Sequence, residues 1–318
     1  MYENKKVLLI AGGGTLGTYT AKELLRLGCY VDVLCPEDKQ TDNEKLYYHK
    51  GLGDEKTLRD LFSKKHYDGI VNFIHYPCVE EYKDIHKLLS DNTEHLIFLS
   101  SYRVYADEQH PITEDAPMLL DVSEDKEFLE KEDYALSKAK AEYFLRNESG
   151  TTNWTAVRPV ISFSQYRFDI VTINQHTVIE KANSGETVYL PIDTKNLTAA
   201  LDWSGNTGKL IANLLFKPET FCQSYTISSG QNITWGEMAE IYTALLGVKF
   251  EWVSTEEFIK SGGTPYGEWA LYYDRLFDRK IDNSKVLFAT GLKKEDFKSI
   301  TEGLKIEFDK LGVKYNDI

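Results

Sequence analysis

At 318 residues, 42% of them apolar and 27% charged, the chain is long enough to bury a sizeable core and carries no low-complexity tract. Fifty acidic residues against 37 basic ones leave a formal charge of -13, which disfavours nucleic acid or an anionic membrane as a partner. The first apolar run is too short for a secretory core or a membrane span, no HExxH occurs, and Cys29, Cys35, Cys78 and Cys222 form no CxxC pair, so a soluble cytoplasmic protein with free thiols and no metal site is expected.

Residues 7–11 form a short apolar run, expected as a strand. After the glycines, Leu16, Thr20, Leu24 and Leu27 recur at helical spacing, with Lys22, Glu23 and Arg26 on the other face. Gly28 is placed to end that helix, and a second apolar run follows at 31–34. Strand, turn, helix and strand make a βαβ unit, which implies parallel strands and a right-handed crossover. The alternation continues with a strand at 46–49, a helix at 55–62, a strand at 69–74, a helix at 80–89 and a strand at 95–99. A helix carrying Tyr134 and a strand at 154–157 follow.

Beyond residue 160 the rhythm loosens into helices at 205–216, 234–246 and 299–311, with the short strand-like pieces TVYL, SYTI and KFEWV between them. The pattern predicts an α/β fold with a doubly wound, Rossmann-like parallel sheet and a smaller C-terminal α+β substrate lobe. A dinucleotide-binding domain is expected over 1–162 and the lobe over 163–318, with about 195–228 returning to the first domain. No Pro/Gly/Ser-rich linker separates the two, so the lobe should pack on the sheet domain.

The turn AGGGTLG sets Gly12, Gly14 and Gly17 in a GxGxxG arrangement, with Thr15 and Leu16 at the helix start. Between a strand and a helix, such a turn lets the backbone approach a pyrophosphate at the helix N-terminus, where unpaired N–H groups favour negative charge. Past the second strand come Cys35, Glu37 and Asp38 and no arginine, which favours NAD, whose ribose hydroxyls suit a carboxylate such as Glu37. Lys39 leaves NADP open.

In DYALSK, Tyr134 and Lys138 lie four residues apart and so share a helical face. Such a pair is common by chance. A phenol ordinarily titrates near pH 10, so proton transfer near neutrality needs a neighbouring positive charge. A second donor for a substrate oxygen would sit at a strand's carboxyl end, and the strand at 95–99 runs into Ser100 and Ser101.

Together AGGGTLG, FLSSYRVYA, YALSK and VRP resemble the extended short-chain dehydrogenase/reductase superfamily, in its NAD-dependent epimerase/dehydratase branch, and the resemblance runs the length of the chain. DGIVNFIHYPCVEEYKDIHKLL and NITWGEMAEIY are also similar to the subgroup of chloroplast stem-loop-binding proteins. The resemblance implies Ser101, three residues before Val104, as the catalytic hydroxyl, Tyr134 as acid/base, and Lys138 as the residue that lowers its pKa and holds the nicotinamide ribose. It implies that Asp54 meets the adenine amine, although a helix N-cap is an equal reading of that aspartate. Backbone at Phe73, Ile74 and Pro159 would line the cofactor, and a homodimer is common in the superfamily. The implied function is hydride transfer between a nicotinamide and a secondary alcohol or ketone of a sugar or nucleotide-sugar derivative. A non-catalytic NAD(P)-binding sensor is the alternative, and an RNA-binding relative is disfavoured by the charge.

Three departures qualify the resemblance. Ala11 stands where relatives carry a glycine. Tyr102 and Arg103 replace the Asp-Glu pair of sugar-nucleotide 4,6-dehydratases, so that reaction is not expected. The segment KNLTAALDWSGNTGKLI lacks the arginine that binds a nucleotide diphosphate. Arg167, Arg275 and Arg279 are candidates to replace it, although such arginines are more often solvated or salt-bridged at the surface. Tyr166, Trp203 and Trp269 are candidate pocket walls, against the commoner reading of aromatic residues as core.

Overall fold

The computed structural model describes residues 1–131, 134–265 and 267–317. The chain opens with β1 (Lys6–Ile10), α1 (Thr15–Arg26), β2 (Tyr30–Cys35), β3 (Leu46–Lys50), α2 (Glu55–Phe62), β4 (Tyr67–Asn72), α3 (Val79–Ser90) and β5 (Thr93–Leu99). Two short helices, α4 (Leu119–Val122) and α5 (Lys126–Glu130), precede α6 (Tyr134–Asn147), β6 (Trp154–Pro159) and β7 (Ile161–Phe163). Then come α7 (Gln175–Ser184), β8 (Thr187–Pro191), β9 (Leu201–Trp203), α8 (Ser204–Leu214), β10 (Gln223–Ile227), α9 (Trp235–Leu246), β11 (Lys249–Val253) and α10 (Thr255–Lys260). A π-helical turn at Leu271–Arg275, α11 (Ser284–Thr290) and α12 (Ile300–Leu311) complete it.

Seven strands form one parallel sheet in the order β10-β6-β5-β4-β1-β2-β3. The strand order reverses between β1 and β4, so the crevice beyond their carboxyl ends is where a doubly wound sheet binds ligands. Apolar runs build the centre because both faces are covered. Val7 and Leu9 of β1 point to the face under α1 and α8, whereas Leu8 and Ile10 point to the face that meets Leu58 of α2 and Leu89 of α3. No helix among the described residues is long and apolar enough to cross a membrane.

The largest apolar cluster lies in the C-terminal half, where Phe168, Trp235, Tyr242, Phe258 and Phe308 pack with the parallel pair β8–β11. The chain does not stay there: β9 pairs with β7, and β10 pairs with β6 at the edge of the main sheet. The helices α7, α10 and α11 leave no clear period in the sequence, since each buries only one to three residues. The strand expected at 69–74 ends earlier, at Asn72, whose carboxamide oxygen accepts the Ile74 N–H at 3.1 Å and turns the chain out of the sheet. Phe73 and Ile74 therefore follow the strand, with Phe73 still donating its N–H to Ile10.

Candidate active site

The glycine turn occupies the carboxyl end of β1, at the middle of the sheet. Gly14 caps α1 with no side-chain hydrogen bond, and the first helical turn holds no acidic residue, so its N–H groups and dipole are left for an anion. A Cβ on Gly17 would lie 2.3 Å from the Gly12 carbonyl oxygen, so only glycine lets helix and turn approach this closely. A Cβ on Gly14 would meet nothing within 4 Å, which leaves that side open to a ligand. The turn thus fits a dinucleotide pyrophosphate. Thr15 and Leu16 carry it into the main cleft, and the Thr15 hydroxyl lies 3.0 Å from that of Ser164, just past β7.

Beyond β2, Lys39 donates from Nζ to the Gly13 carbonyl at 2.8 Å, and Glu37 is exposed beside the same turn. Asp54 caps α2: one carboxylate oxygen accepts the Thr57 N–H at 2.9 Å and the other its hydroxyl at 3.0 Å. The capping reading of that aspartate is the one the structure displays. Its exposed carboxylate retains lone pairs for other donors.

Ser100 and Ser101 both border the cleft, but their hydroxyls differ. The Ser100 hydroxyl donates to the buried Glu142 carboxylate at 2.5 Å. The Ser101 hydroxyl accepts the Arg103 N–H at 3.3 Å and lies near enough to Tyr134 to favour its phenolate. Ser101 is therefore the serine that meets the tyrosine. Burial raises the Tyr134 phenol above its ordinary pKa, and the Ser101 hydroxyl and the charges of Arg103 and Arg167 oppose that rise. The Arg103 guanidinium lies 5.6 Å and the Lys138 ammonium 5.7 Å from the Tyr134 ring centre.

Lys138 is almost wholly buried and donates to the carbonyls of Leu99 at 2.5 Å and Ile74 at 3.3 Å. It joins the ends of β4 and β5 at the bottom of the crevice. Burial pulls its pKa down to about 7, with Glu142 one helical turn away opposing the fall. Glu142 gives little help because Arg158 already holds it at 2.7 and 2.8 Å, alongside Arg146, Ser100 and Ser224. His75 was not singled out from the sequence. Its ring meets the edge of Tyr134 at 4.7 Å and its Nε2 lies 2.9 Å from the Ser137 hydroxyl, so it braces the start of α6.

The cleft, about 450 Å³, is bounded by Leu16, Ser101 and Tyr134, by Pro159 at the end of β6, and by Arg167, Asp169, Val171 and Arg275 of the C-terminal half. The expectation that arginines such as Arg275 and Arg279 would lie at the surface is corrected here: both are buried, against Asp274. Arg167 is half-exposed and pairs with Asp169 at 2.7 Å. None of the three aromatic residues considered as pocket walls borders this cleft. Trp203 instead packs edge-on to Tyr19 and donates to Glu307, Trp269 packs near Phe128 and Tyr273, and Tyr166 lies exposed beside a smaller depression next to α1.

Residues 8–204 match the NAD dependent epimerase/dehydratase family. Over 98 residues the chain is 33% identical to the UDP-glucose 4-epimerase of Lacticaseibacillus casei, a match covering 29% of this chain and 30% of that enzyme. Among solved structures, the epimerase Mth375 of Methanothermobacter thermautotrophicus superposes with a TM-score of 0.69 at 15% identity, over 97% of this chain and 93% of that one. WbmG of Bordetella bronchiseptica, in complex with NAD, gives 0.70 at 16% identity over 98% and 96%. MoeE5, in complex with UDP-glucose and NAD, gives 0.68 at 15% over 96% and 98%. At these identities the structural likeness is one of fold. With the family match spanning more than half of the sequence and the glycine turn standing at the switch point of the sheet, the chain belongs to the NAD-dependent epimerase/dehydratase family.

Proposed function

We propose that this protein moves hydride between NAD and a secondary alcohol, or its ketone, on a sugar-derived substrate, with Tyr134 as the proton-transfer group. The observation that carries this reading is that Ser101 and Tyr134 border one cleft together with Thr15 and Leu16 at the start of α1, with the Lys138 ammonium 5.7 Å from the Tyr134 ring centre. The UDP-glucose 4-epimerase similarity and the UDP-glucose complex of MoeE5 support the substrate class.

In this reading Gly12, Gly14, Thr15, Leu16 and Gly17 hold the pyrophosphate, Glu37 the adenosine ribose and Asp54 the adenine. Backbone at Phe73, Ile74 and Pro159 flanks the nicotinamide half. NAD bound there supplies the hydride acceptor or donor. Tyr134 takes the proton from the substrate hydroxyl through its phenolic oxygen, or returns it to the ketone. Ser101 hydrogen-bonds the same oxygen and fixes it against the phenol. Arg103, beside the Tyr134 ring, favours the phenolate, and Lys138 adds to that field when protonated.

Tyr134→Phe keeps the ring and removes the proton. The variant is expected to bind NAD as the wild type does in isothermal titration, and to lose about 10²–10⁴-fold in turnover, followed by NADH absorbance and product analysis on UDP-sugars. Undiminished turnover would sink the assignment.

A further inference from the structure

Resting on the reading that the glycine turn seats the cofactor pyrophosphate, we propose that Lys39 is a positioning residue for that anion, acting through the Gly13–Gly14 peptide. Its Nζ donates to the Gly13 carbonyl at 2.8 Å, and the Thr18 hydroxyl of α1 reaches the same oxygen at 3.4 Å. Lys39 is half-buried just past β2, with its ammonium 6.0 Å from the ring centre of Tyr48 on β3. The Cys35 thiol turns toward the Glu37 carbonyl at 3.6 Å and folds the intervening chain back over the end of β2. One long side chain thus ties the loop after β2 to the turn after β1.

A trans peptide is planar, and its C=O and N–H point in opposite directions. A donor that fixes the Gly13 carbonyl therefore also fixes the Gly14 N–H. That N–H meets no protein acceptor among the described residues, and a Cβ on Gly14 would touch nothing within 4 Å, so the group is left for a ligand. Two successive glycines have wide backbone freedom, and an unbraced peptide between them would swing. A cationic donor on the carbonyl also polarises the amide, which makes its N–H a stronger partner for phosphate oxygen.

Charge gives a second reason for a cation here. A Cβ on Gly13 would lie 2.9 Å from the Cys35 Cβ and 3.1 Å from Glu37 Oε2, so the Glu37 carboxylate stands against the same peptide. A carboxylate suited to ribose hydroxyls also repels a nearby diphosphate. The Lys39 ammonium at the Gly13 carbonyl offsets that repulsion. Engaged there, Lys39 serves the turn that NAD and NADP have in common, and it is not the partner of a 2′-phosphate.

The test is isothermal titration of the wild type, Lys39→Met and Lys39→Arg with NAD, NADP and ADP-ribose. Lys39→Met is expected to weaken NAD and ADP-ribose alike, by about 3–10-fold, because both carry the pyrophosphate. The loss should persist at high salt, since a hydrogen bond to a carbonyl is not screened as a distant charge is. Lys39→Arg, cationic and long enough to reach the same oxygen, should restore affinity to within about twofold of wild type. In ¹⁵N-labelled protein without cofactor, the Gly14 amide signal should move in Lys39→Met and return in Lys39→Arg. Unchanged NAD affinity in Lys39→Met, a loss confined to NADP, or a loss that vanishes at high salt overturns the proposal. A wild type that takes up no dinucleotide would strike the underlying reading, and the Gly14 signal would still decide whether Lys39 holds the peptide.

Discussion

Arg158, beneath the sheet, and Arg275, on the cleft wall, are both shut away from bulk water, but their nitrogens are satisfied differently. Arg158 grips both oxygens of Glu142, and its remaining donors reach the Tyr105 hydroxyl at 2.7 Å and the Glu114 carbonyl at 2.9 Å. Burial alone would push the Glu142 carboxyl up, yet Arg158 brings it down to about 2. That cluster is closed. Arg275 shares its carboxylate with Arg279, fixes itself on the Val171 carbonyl, and faces a cavity. The first ion group joins β6, β10 and α6 away from the cleft, whereas the second ties Arg103, Arg275 and Arg279 to one carboxylate at the cleft wall.

The largest expected effect breaks the closed cluster. Arg158→Met leaves Glu142 buried with only Arg146 and two serine hydroxyls, and should cost about 3–5 kcal/mol in urea unfolding. Arg275→Gln should cost less, because Asp274 keeps Arg279 and the Tyr102 hydroxyl. The reverse order would remove the distinction between the two clusters.

The closed cluster also sets the state of Lys138, since Glu142 is bound elsewhere and the ammonium lies buried against two carbonyls. The Lys138 pKa falls from 10.5 to about 7 on folding, so the folded state binds fewer protons than the unfolded chain between those values. Stability of the cofactor-free protein should therefore rise with pH across that window, and the penalty of the buried charge should be fully present below about pH 7. Lys138→Met is expected to stabilise the free protein by about 1–2 kcal/mol near neutrality and to flatten this rise, while turnover is lost. A Met variant with unchanged pH dependence in urea melts would show that Lys138 is not the titrating group.

How much of this was legible follows from the physics of each part. Parallel strands covered on both faces leave continuous apolar runs, so the sheet could be read along the chain, and the glycine turn and the Tyr134–Lys138 spacing are local signals. Choosing Ser101 over Ser100 rested on resemblance; the structure adds a reason, because Glu142 occupies Ser100. The cleft wall was legible only in part, since Arg167 and Arg275 were candidates from the family pattern but their shared position was not. Arg103, Arg167 and Arg275 are far apart in sequence and share a cavity only in the fold, and an arginine's burial leaves no periodic trace. The helical cap at Asp54 was one of the two readings the sequence offered, whereas the packing of Trp203 on Tyr19 depends on neighbours that composition does not name.

A smaller effect concerns the one departure inside the glycine turn. Ala11 has φ +56°, the left-handed conformation in which an L side chain crowds its own backbone, and it stands where relatives carry glycine. The residue is exposed, so no packing is lost on removing its methyl group. Glycine would relieve about 1–2 kcal/mol of strain and return part of that through the greater freedom of the unfolded chain. Ala11→Gly should therefore stabilise the protein by about 0.5–1 kcal/mol in urea, with NAD affinity within about twofold of wild type. Because the turn's geometry, not the methyl group, holds the pyrophosphate in the proposed reading, a large loss of NAD affinity in this variant would mean that the strain at Ala11 itself keeps the α1 N–H groups aimed at the cofactor.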